Sequence, residues 1–138
     1  MLQHDYLLEI IAQFVDAVTN ALRSAVVDHD RASAKEVEDA VGGILDLDPD
    51  VAMGLAPDSL VTMMILSGVG DSVAGYVAYS LRRLSGAYEA MGDQDKALLR
   101  GAQAQAVEES FGCEPDIVPE EFAALEAELD ASVRPARP

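Results

Sequence analysis

Apolar residues recur at steps of three and four along most of this chain, and that spacing is the mark of one face of an α-helix. The clearest case is the first segment, from Asp5 to Val27. Its apolar stripe consists of Leu7, Leu8, Ile11, Phe14, Val15, Val18, Leu22 and Val26. No stretch shows convincing alternation of apolar and polar residues with the two-residue period of a β-strand. The sequence therefore predicts an all-α protein.

Polar residues, prolines and glycines divide the first part of the chain into further helices. After a polar break at residues 28–31, a second helix is expected to begin at Ser33, because Glu36 completes a capping box there. Asp48 and Pro49 then predict a short turn or a helical stub, since Asp caps helices well and Pro fits the first helical position.

The remaining part of the chain is expected to contain longer helices with clear boundaries. The expected spans are 57–66, 71–91 and 93–111, with a last helix from Pro119. Gly92 and Gly112 are expected to close the two longest of them. Residues 1–133 would then form a single all-helical domain of about six helices, a helical bundle or short repeat domain of common domain size. The Pro-rich tail, residues 134–138, is expected to be frayed.

One stretch of the chain has a residue pattern that is typical of a helical hairpin. It begins at Leu81 and reads LRRLSGAYEAMGDQDKALLRGAQAQA. Large residues at 84 and 88 would fill the space between the helices, and a glycine at 92 would take the left-handed turn conformation. Small residues would let the second helix lie close. The positions concerned are Leu84, Tyr88, Gly92, Ala97 and Ala104.

These offsets resemble those of the tetratricopeptide repeat, over about residues 78–111. The sequence differs from the repeat at Ser85, where the repeat usually has Gly, and at Glu109, where it usually has Pro. A single copy does not make a solenoid, because about three repeats are needed to bury a continuous core. The resemblance implies a repeat-type hairpin and carries no activity.

The whole chain also resembles a family of small, uncharacterised bacterial proteins. Its members begin with an aromatic-aliphatic helix, here Tyr6-Leu7-Leu8, and end in a tetratricopeptide-like hairpin with a Tyr-Glu-x-x-Gly turn, here 88–92. Between them lies a loosely matching leucine- and aspartate-containing segment, here 47–60. The resemblance implies an all-helical fold.

The formal net charge is −16, from 25 acidic and 9 basic residues. A nucleic-acid-binding protein needs clustered Lys and Arg, and an anionic membrane attracts the same clusters. The basic residues here are scattered, so neither nucleic acid nor a membrane is an expected partner. Between Gly101 and Val133 every charged residue is acidic. This run is interpreted as a solvated face, with a docking surface for a basic partner as the alternative.

Cysteine usage and the N-terminus favour a cytoplasmic location. Cys113 is the single cysteine, so no intrachain disulfide is possible, and this suits a reducing compartment. The N-terminus has no basic region before its apolar residues and does not read as a secretory signal. A purely apolar run such as residues 63–66 falls far short of the roughly 20 residues that a membrane helix needs.

No group of residues predicts a metal, cofactor or catalytic site. The acidic run Asp46, Asp48 and Asp50 begins like a calcium loop, but the required Gly is Val51 and the terminal Glu is Pro57. The two Gly residues at 68 and 70 lack the βαβ pattern of a dinucleotide site. The two histidines, at 4 and 29, are not at metal-ligand spacing, and Cys113 has no recognisable catalytic partner.

The sequence does not determine the function, and it leaves three hypotheses open. The favoured one is a protein–protein interaction or scaffold module without catalysis, with an unknown protein partner and no cofactor. The second is a self-associating structural homodimer that pairs through the N-terminal helix, because apolar residues cover nearly half of its circumference. These residues are Leu7, Leu8, Ile10, Ile11, Phe14 and Val15. The third is a helical enzyme or small-ligand binder that uses carboxylates.

Overall fold

Helices account for all the regular structure in the part of the chain that the structure describes. The computed structural model describes residues 2–68 and 70–133, with side chains for 6–68 and 70–132. The helices are α1 (Leu2–Val27), α2 (Arg31–Ile44), α3 (Pro49–Gly54), α4 (Pro57–Ser67), α5 (Gly70–Ala90), α6 (Gln94–Phe111) and α7 (Ala123–Val133), with a short 3-10 turn at Glu120–Phe122. The predicted all-α class is confirmed, whereas the tail at 134–138 lies outside the described residues.

The long helix α5 lies at the centre of the arrangement. It forms a hairpin with α6 and also contacts α1, α2 and α4. The helices α1 and α2 make a second hairpin, α3 packs on α2, α4 packs on α6, and α7 packs on α1. One hydrophobic core draws residues from all seven helices, among them Val18, Leu60, Leu81 and Leu129.

Most helix boundaries lie where the sequence predicts them, because local capping sets them. The Asp48 carboxylate accepts hydrogen bonds from the Asp50 and Val51 amides before α3. At the start of α6, Asp93 accepts from an amide in the same way, and this holds the pKa of its carboxyl below the usual range. Gly112 ends α6 in the left-handed conformation, with φ 70°.

The start of α2 corrects the capping box predicted at Ser33. The helix begins at Arg31, because the Asp30 carboxylate accepts from the Ala32 amide at 3.2 Å and from the Ser33 hydroxyl at 2.7 Å. Asp and Ser are similarly good N-caps, so the sequence alone does not choose between them. The number of helices within the described ranges is also seven rather than about six, since Pro49–Gly54 is itself helical.

The first helix carries more apolar surface than the core uses. By length and composition alone, Tyr6–Val27 could cross a membrane, although polar residues interrupt its apolar ones. Its second half is nevertheless a core helix, with Phe14, Val18, Ala21, Leu22 and Ala25 buried. Its first turns are different, because Tyr6 is 62% exposed and Leu8 is 55% exposed.

Gly92 follows α5 with φ 82°, which confirms the predicted left-handed turn. A Cβ added there would meet no atom within 4 Å, so backbone conformation alone limits substitution. Gly92→Val is expected to lower the free energy of unfolding by about 1 kcal/mol or more, because a β-branched residue resists positive φ. Urea denaturation measures this. Gly92→Asn is the matched control, since Asn tolerates the conformation, and an unchanged midpoint in Gly92→Val would contradict the turn.

Candidate functional site

The residues that resemble a tetratricopeptide hairpin all lie in or beside the α5–α6 hairpin. The side chains of Leu84, Tyr88, Ala97 and Ala104 are buried. Ser85 donates a hydrogen bond to the Ala97 carbonyl at 2.7 Å, and a Cβ on Gly101 would lie 3.1 Å from the Ser85 Oγ. The two helices therefore approach closely at this point. The predicted hairpin is confirmed as a pair of helices.

A buried polar network connects this hairpin to α2. The Glu38 Oε2 atom accepts hydrogen bonds from Arg100 Nε at 2.9 Å and Arg100 Nη2 at 2.7 Å. It also accepts from the Tyr88 hydroxyl at 2.9 Å. Burial and the neighbouring Glu38 carboxylate raise the pKa of Tyr88 well above its usual range, so its hydroxyl remains a donor. Both partners of the ion pair are only 4% exposed.

The same network holds the turn between α3 and α4. Arg100 Nη1 donates to the Met53 carbonyl and to Gln103 Oε1, both at 2.9 Å. Gln103 Nε2 donates to the Leu55 carbonyl at 2.9 Å. Within the described residues, no buried side-chain polar atom lacks a hydrogen-bond partner. Because all these polar groups already have hydrogen-bond partners, the network connects the helices α2, α3, α5 and α6 and leaves no free group to bind a ligand.

A groove of about 770 Å³ runs along the outer face of α5. Its walls are the end of α1, the connector at residues 112–119 and α7. Its apolar lining includes Val26, Val27, Ala78, Ile117 and Val118. The volume lies within the range of about 300–1,000 Å³ that is typical of ligand pockets. This groove is the candidate functional site.

Two glycines of α5 leave space that belongs to the groove rather than to helix packing. A Cβ added at Gly86 would meet nothing within 4 Å, and one at Gly75 would reach only a Pro119 side-chain atom at 4.0 Å. A glycine inside a helix costs about 1 kcal/mol relative to alanine. Packing among the described residues would leave room for a larger side chain at either glycine. Gly101 in α6 differs, because a Cβ there would lie close to Ser85.

Carboxylates outnumber cations along the groove. Arg82 donates to Glu108 at 2.9 Å, and Arg83 donates to Glu126 at 3.0 Å. The hydrogen bonds and charge of Glu108 raise the pKa of Arg82. Both guanidinium groups are therefore neutralised by acids of the same groove. Glu89 and Glu114 also line it, and no side-chain hydrogen bond or ion pair to another described residue engages them.

Cys113 and His29 lie along the same groove, although they are far apart in sequence. Burial raises the pKa of the Cys113 thiol, and the nearby Glu108 charge adds to this. Because the thiolate is the nucleophilic form, this shift opposes nucleophilic reactivity. His29 has φ 54° at the turn between α1 and α2. The other histidine, His4, lies outside the residues whose side chains are described.

Two of the three aspartates that resemble a calcium loop make contacts of another kind in the structure. Asp48 caps α3, and Asp50 pairs with Lys35 at 3.2 Å. Asp46 lies at φ 58° beyond the end of α2. Among the described residues there is no group of three or more His, Cys, Asp or Glu side chains that could hold a metal ion.

The acidic C-terminal run is partly engaged within the chain. Glu128 pairs with Arg23 of α1 at 2.8 Å, which lowers the pKa of Glu128. Glu121 accepts from the Tyr76 hydroxyl at 2.7 Å, and burial together with this contact raises the pKa of Tyr76 to about 12. Phe122 stacks on Tyr79 with ring centroids 4.8 Å apart. The expectation of a solvated face therefore describes only part of this run.

Comparisons of the chain with protein-family models, with curated proteins and with solved structures find no match. The resemblance to a tetratricopeptide hairpin therefore rests on the residues of α5 and α6 alone. The structure shows an all-helical protein in which those residues pack as a helical hairpin beside an acidic, partly apolar groove.

Proposed function

We propose that this protein is a protein–protein interaction module, without catalysis of its own, and that its groove along α5 binds a basic, partly apolar segment of a partner protein. The observation that carries the proposal is the groove itself, with apolar residues inside and, in its lining, the carboxylates of Glu89 and Glu114, which pair with no other described residue. Protein interfaces combine an apolar centre with a polar rim. A cytoplasmic location stays a prediction.

Charge selects the class of partner. The groove contains Arg82 and Arg83, but each is already paired with carboxylates, so an anionic ligand finds no free cation among the described lining residues. A Lys- or Arg-bearing segment is attracted by the whole acidic chain, with its net charge of −16. A small cationic ligand is the competing occupant, since the volume would suit one.

Photo-crosslinking tests the proposal. A photoreactive phenylalanine analogue in place of Ala90, which lines the groove, is expected to crosslink a Lys- or Arg-rich segment of a host protein. The same analogue at Gly43, an exposed position on α2, is the control and should not capture that segment. The captured segment is then synthesised as a peptide, and its affinity for the purified protein is measured by fluorescence polarisation.

Filling the groove is expected to weaken binding of that peptide about tenfold or more, because a leucine at position 86 occupies the apolar space. Gly86→Leu should leave the fold intact, since its Cβ meets no atom within 4 Å. Gly43→Leu is the matched control, because its Cβ also meets no atom. Equal affinities in the two variants would contradict the groove as the binding site.

Exposed apolar residues at the start of α1 support a second candidate function, a homodimer in which this helix forms a symmetric interface. Tyr6 and Leu8 are exposed, and Ile10 and Ile11 are only partly buried. Phe14 was expected to belong to the same surface, but it is only 4% exposed and is a core residue. A test of the interface therefore belongs at Leu8.

Leu8→Glu is expected to convert a dimer to a monomer without unfolding it, because the residue is exposed in the isolated chain. Light scattering at several protein and salt concentrations measures the mass. Salt should strengthen the dimer by screening the repulsion between the acidic chains. Ala17→Glu adds the same charge to the opposite side of α1 and should leave the mass unchanged. A monomer mass for the unmodified protein under all conditions would refute this candidate function.

A further inference from the structure

We propose that the surface of α1 and α5 beneath α7 is a second docking site, for an acidic amphipathic helix of a partner protein, and that α7 is its intramolecular occupant. This surface, the α7 face, consists of Arg23, Tyr76, Tyr79 and Arg83 with the apolar side chains around them. It shares Tyr79 and Arg83 with the lining of the groove, but it takes an acidic helix where the groove takes a basic segment, so the proposal goes beyond the proposed function.

The apolar side of α7 and of the 3-10 turn that precedes it, Glu120–Phe122, shows what the face accepts. Phe122, Leu125 and Leu129 are 0, 3 and 0% exposed, and they follow the i, i+3, i+7 spacing of one helix stripe. Phe122 lies between two tyrosines of α5, edge-on to Tyr76 at 6.2 Å and stacked on Tyr79 at 4.8 Å. An aromatic residue followed by two leucines is therefore the apolar signature of a helix that fits.

The polar contacts show why the helix must be acidic. Arg23 donates to both carboxylate oxygens of Glu128, at 2.8 and 3.2 Å. Arg83 donates to Glu126 and to Asp130, at 3.0 and 3.2 Å. Among the described residues, these two guanidinium groups pair with no carboxylate outside α7. Without α7, the face would therefore carry two unpaired cations beside two tyrosine hydroxyls.

The attachment of α7 and the turn before it combines three buried apolar side chains with solvent-exposed ion pairs, and we expect it to open locally. An eight-residue connector without regular helix, residues 112–119, leads to it from α6. The outer ends of its ion pairs are open to solvent, with the Glu128 and Asp130 side chains 52% and 53% exposed. Elements held by few buried apolar side chains open at lower free energy than the core. A partner helix must compete with a tethered one whose effective concentration is in the millimolar range.

Binding at the α7 face and binding in the groove are coupled. Glu126, Asp130 and Ser132 of α7 form one wall of the groove. A partner that displaces α7 removes that wall, so the two partners should exclude one another, and each should weaken the binding of the other by the same factor.

Hydrogen exchange on the unmodified full chain gives the first test. The amides of α7 are expected to exchange through local opening, about tenfold or more faster than the buried amides of α5. Equal protection of the two helices would mean that the face is exposed only when the whole protein unfolds, and that result would overturn the proposal.

A peptide added in trans gives the second test. The synthetic peptide PEEFAALEAELDASV, the sequence of residues 119–133, at millimolar concentration should speed exchange of the chain's own α7 amides and leave α6 amides unchanged. A peptide with Ala in place of Phe122 and Leu129 should have no effect. Arg83→Gln in the chain should reduce the response, whereas Gly86→Leu, which fills only the groove, should retain it.

Two outcomes of the peptide experiment would overturn the proposal. One is an unchanged exchange rate at α7, because a face that accepts the helix must accept its copy. The other is a dimer that exchanges α7 between copies on concentration, detected by light scattering, because the occupant would then be a second copy rather than a partner helix. A failure of the groove crosslinking experiment bears on neither outcome.

Discussion

Arg100→Met is expected to lower the free energy of unfolding by about 3–5 kcal/mol, because it leaves a buried charge without its partner. The Glu38 carboxylate would lose both of its guanidinium hydrogen bonds, and the Met53 carbonyl would lose one donor. Methionine keeps much of the apolar volume of the arginine side chain, so the loss reflects the polar network rather than a cavity. Urea denaturation followed by circular dichroism measures it.

Two further variants separate the network from general effects of removing a cation. Lys35→Met breaks an exposed pair with Asp39 and should change stability by only a small fraction of the Arg100→Met effect. The double variant Glu38→Leu, Arg100→Met should recover much of the loss, since a buried ion pair can often be replaced by apolar residues. If Arg100→Met costs no more than Lys35→Met, the network does not hold the helices together.

Gly42→Ala is expected to lower the free energy of unfolding by about 1–3 kcal/mol, because the new methyl group has no room. Its Cβ would lie 2.7 Å from the Pro49 Cα and 3.0 Å from the Leu47 carbonyl oxygen. Both contacts are with backbone atoms, which cannot rotate away as a side chain can. The clash therefore outweighs the gain in helix propensity, which is about 1 kcal/mol for Gly to Ala.

The neighbouring glycine is the matched control. A Cβ at Gly43 would meet nothing within 4 Å, so Gly43→Ala should raise the free energy of unfolding by up to about 1 kcal/mol. Adjacent glycines in one helix are thus expected to give changes of opposite sign in urea denaturation. Stabilisation by both substitutions would show that α2 does not approach the start of α3 as closely as described.

The positions of the helices could be predicted from the sequence because local interactions decide them. The apolar period of three and four residues marks each stripe, and Asp48, Asp93, Gly92 and Gly112 cap the ends through bonds within a few residues. The start of α2 was misplaced for the same local reason, since two capping residues compete there. The hairpin of α5 and α6 also follows from contacts close in sequence.

Contacts between distant residues could not be predicted in this way. Glu38 and Arg100 are separated by 62 positions, and nothing near either residue indicates that both are buried. Tyr88 was expected only to fill the hairpin, but its hydroxyl belongs to the same network. Arginines that look scattered along the chain meet carboxylates of α7 from far away in sequence. Arg23 pairs with a residue 105 positions away and Arg83 with one 43 positions away.

The sequence by itself determined an all-helical chain, most of its helix boundaries and a large excess of negative charge, because periodicity, capping and composition are local or additive properties. Only the tertiary structure decided which carboxylates pair with arginines of other helices and which line the groove. Packing brings the end of α1, the middle of α5 and α7 together, and this creates both the groove and the α7 face. A surface assembled from segments this far apart depends on the packing of whole helices, and no short stretch of the chain encodes it.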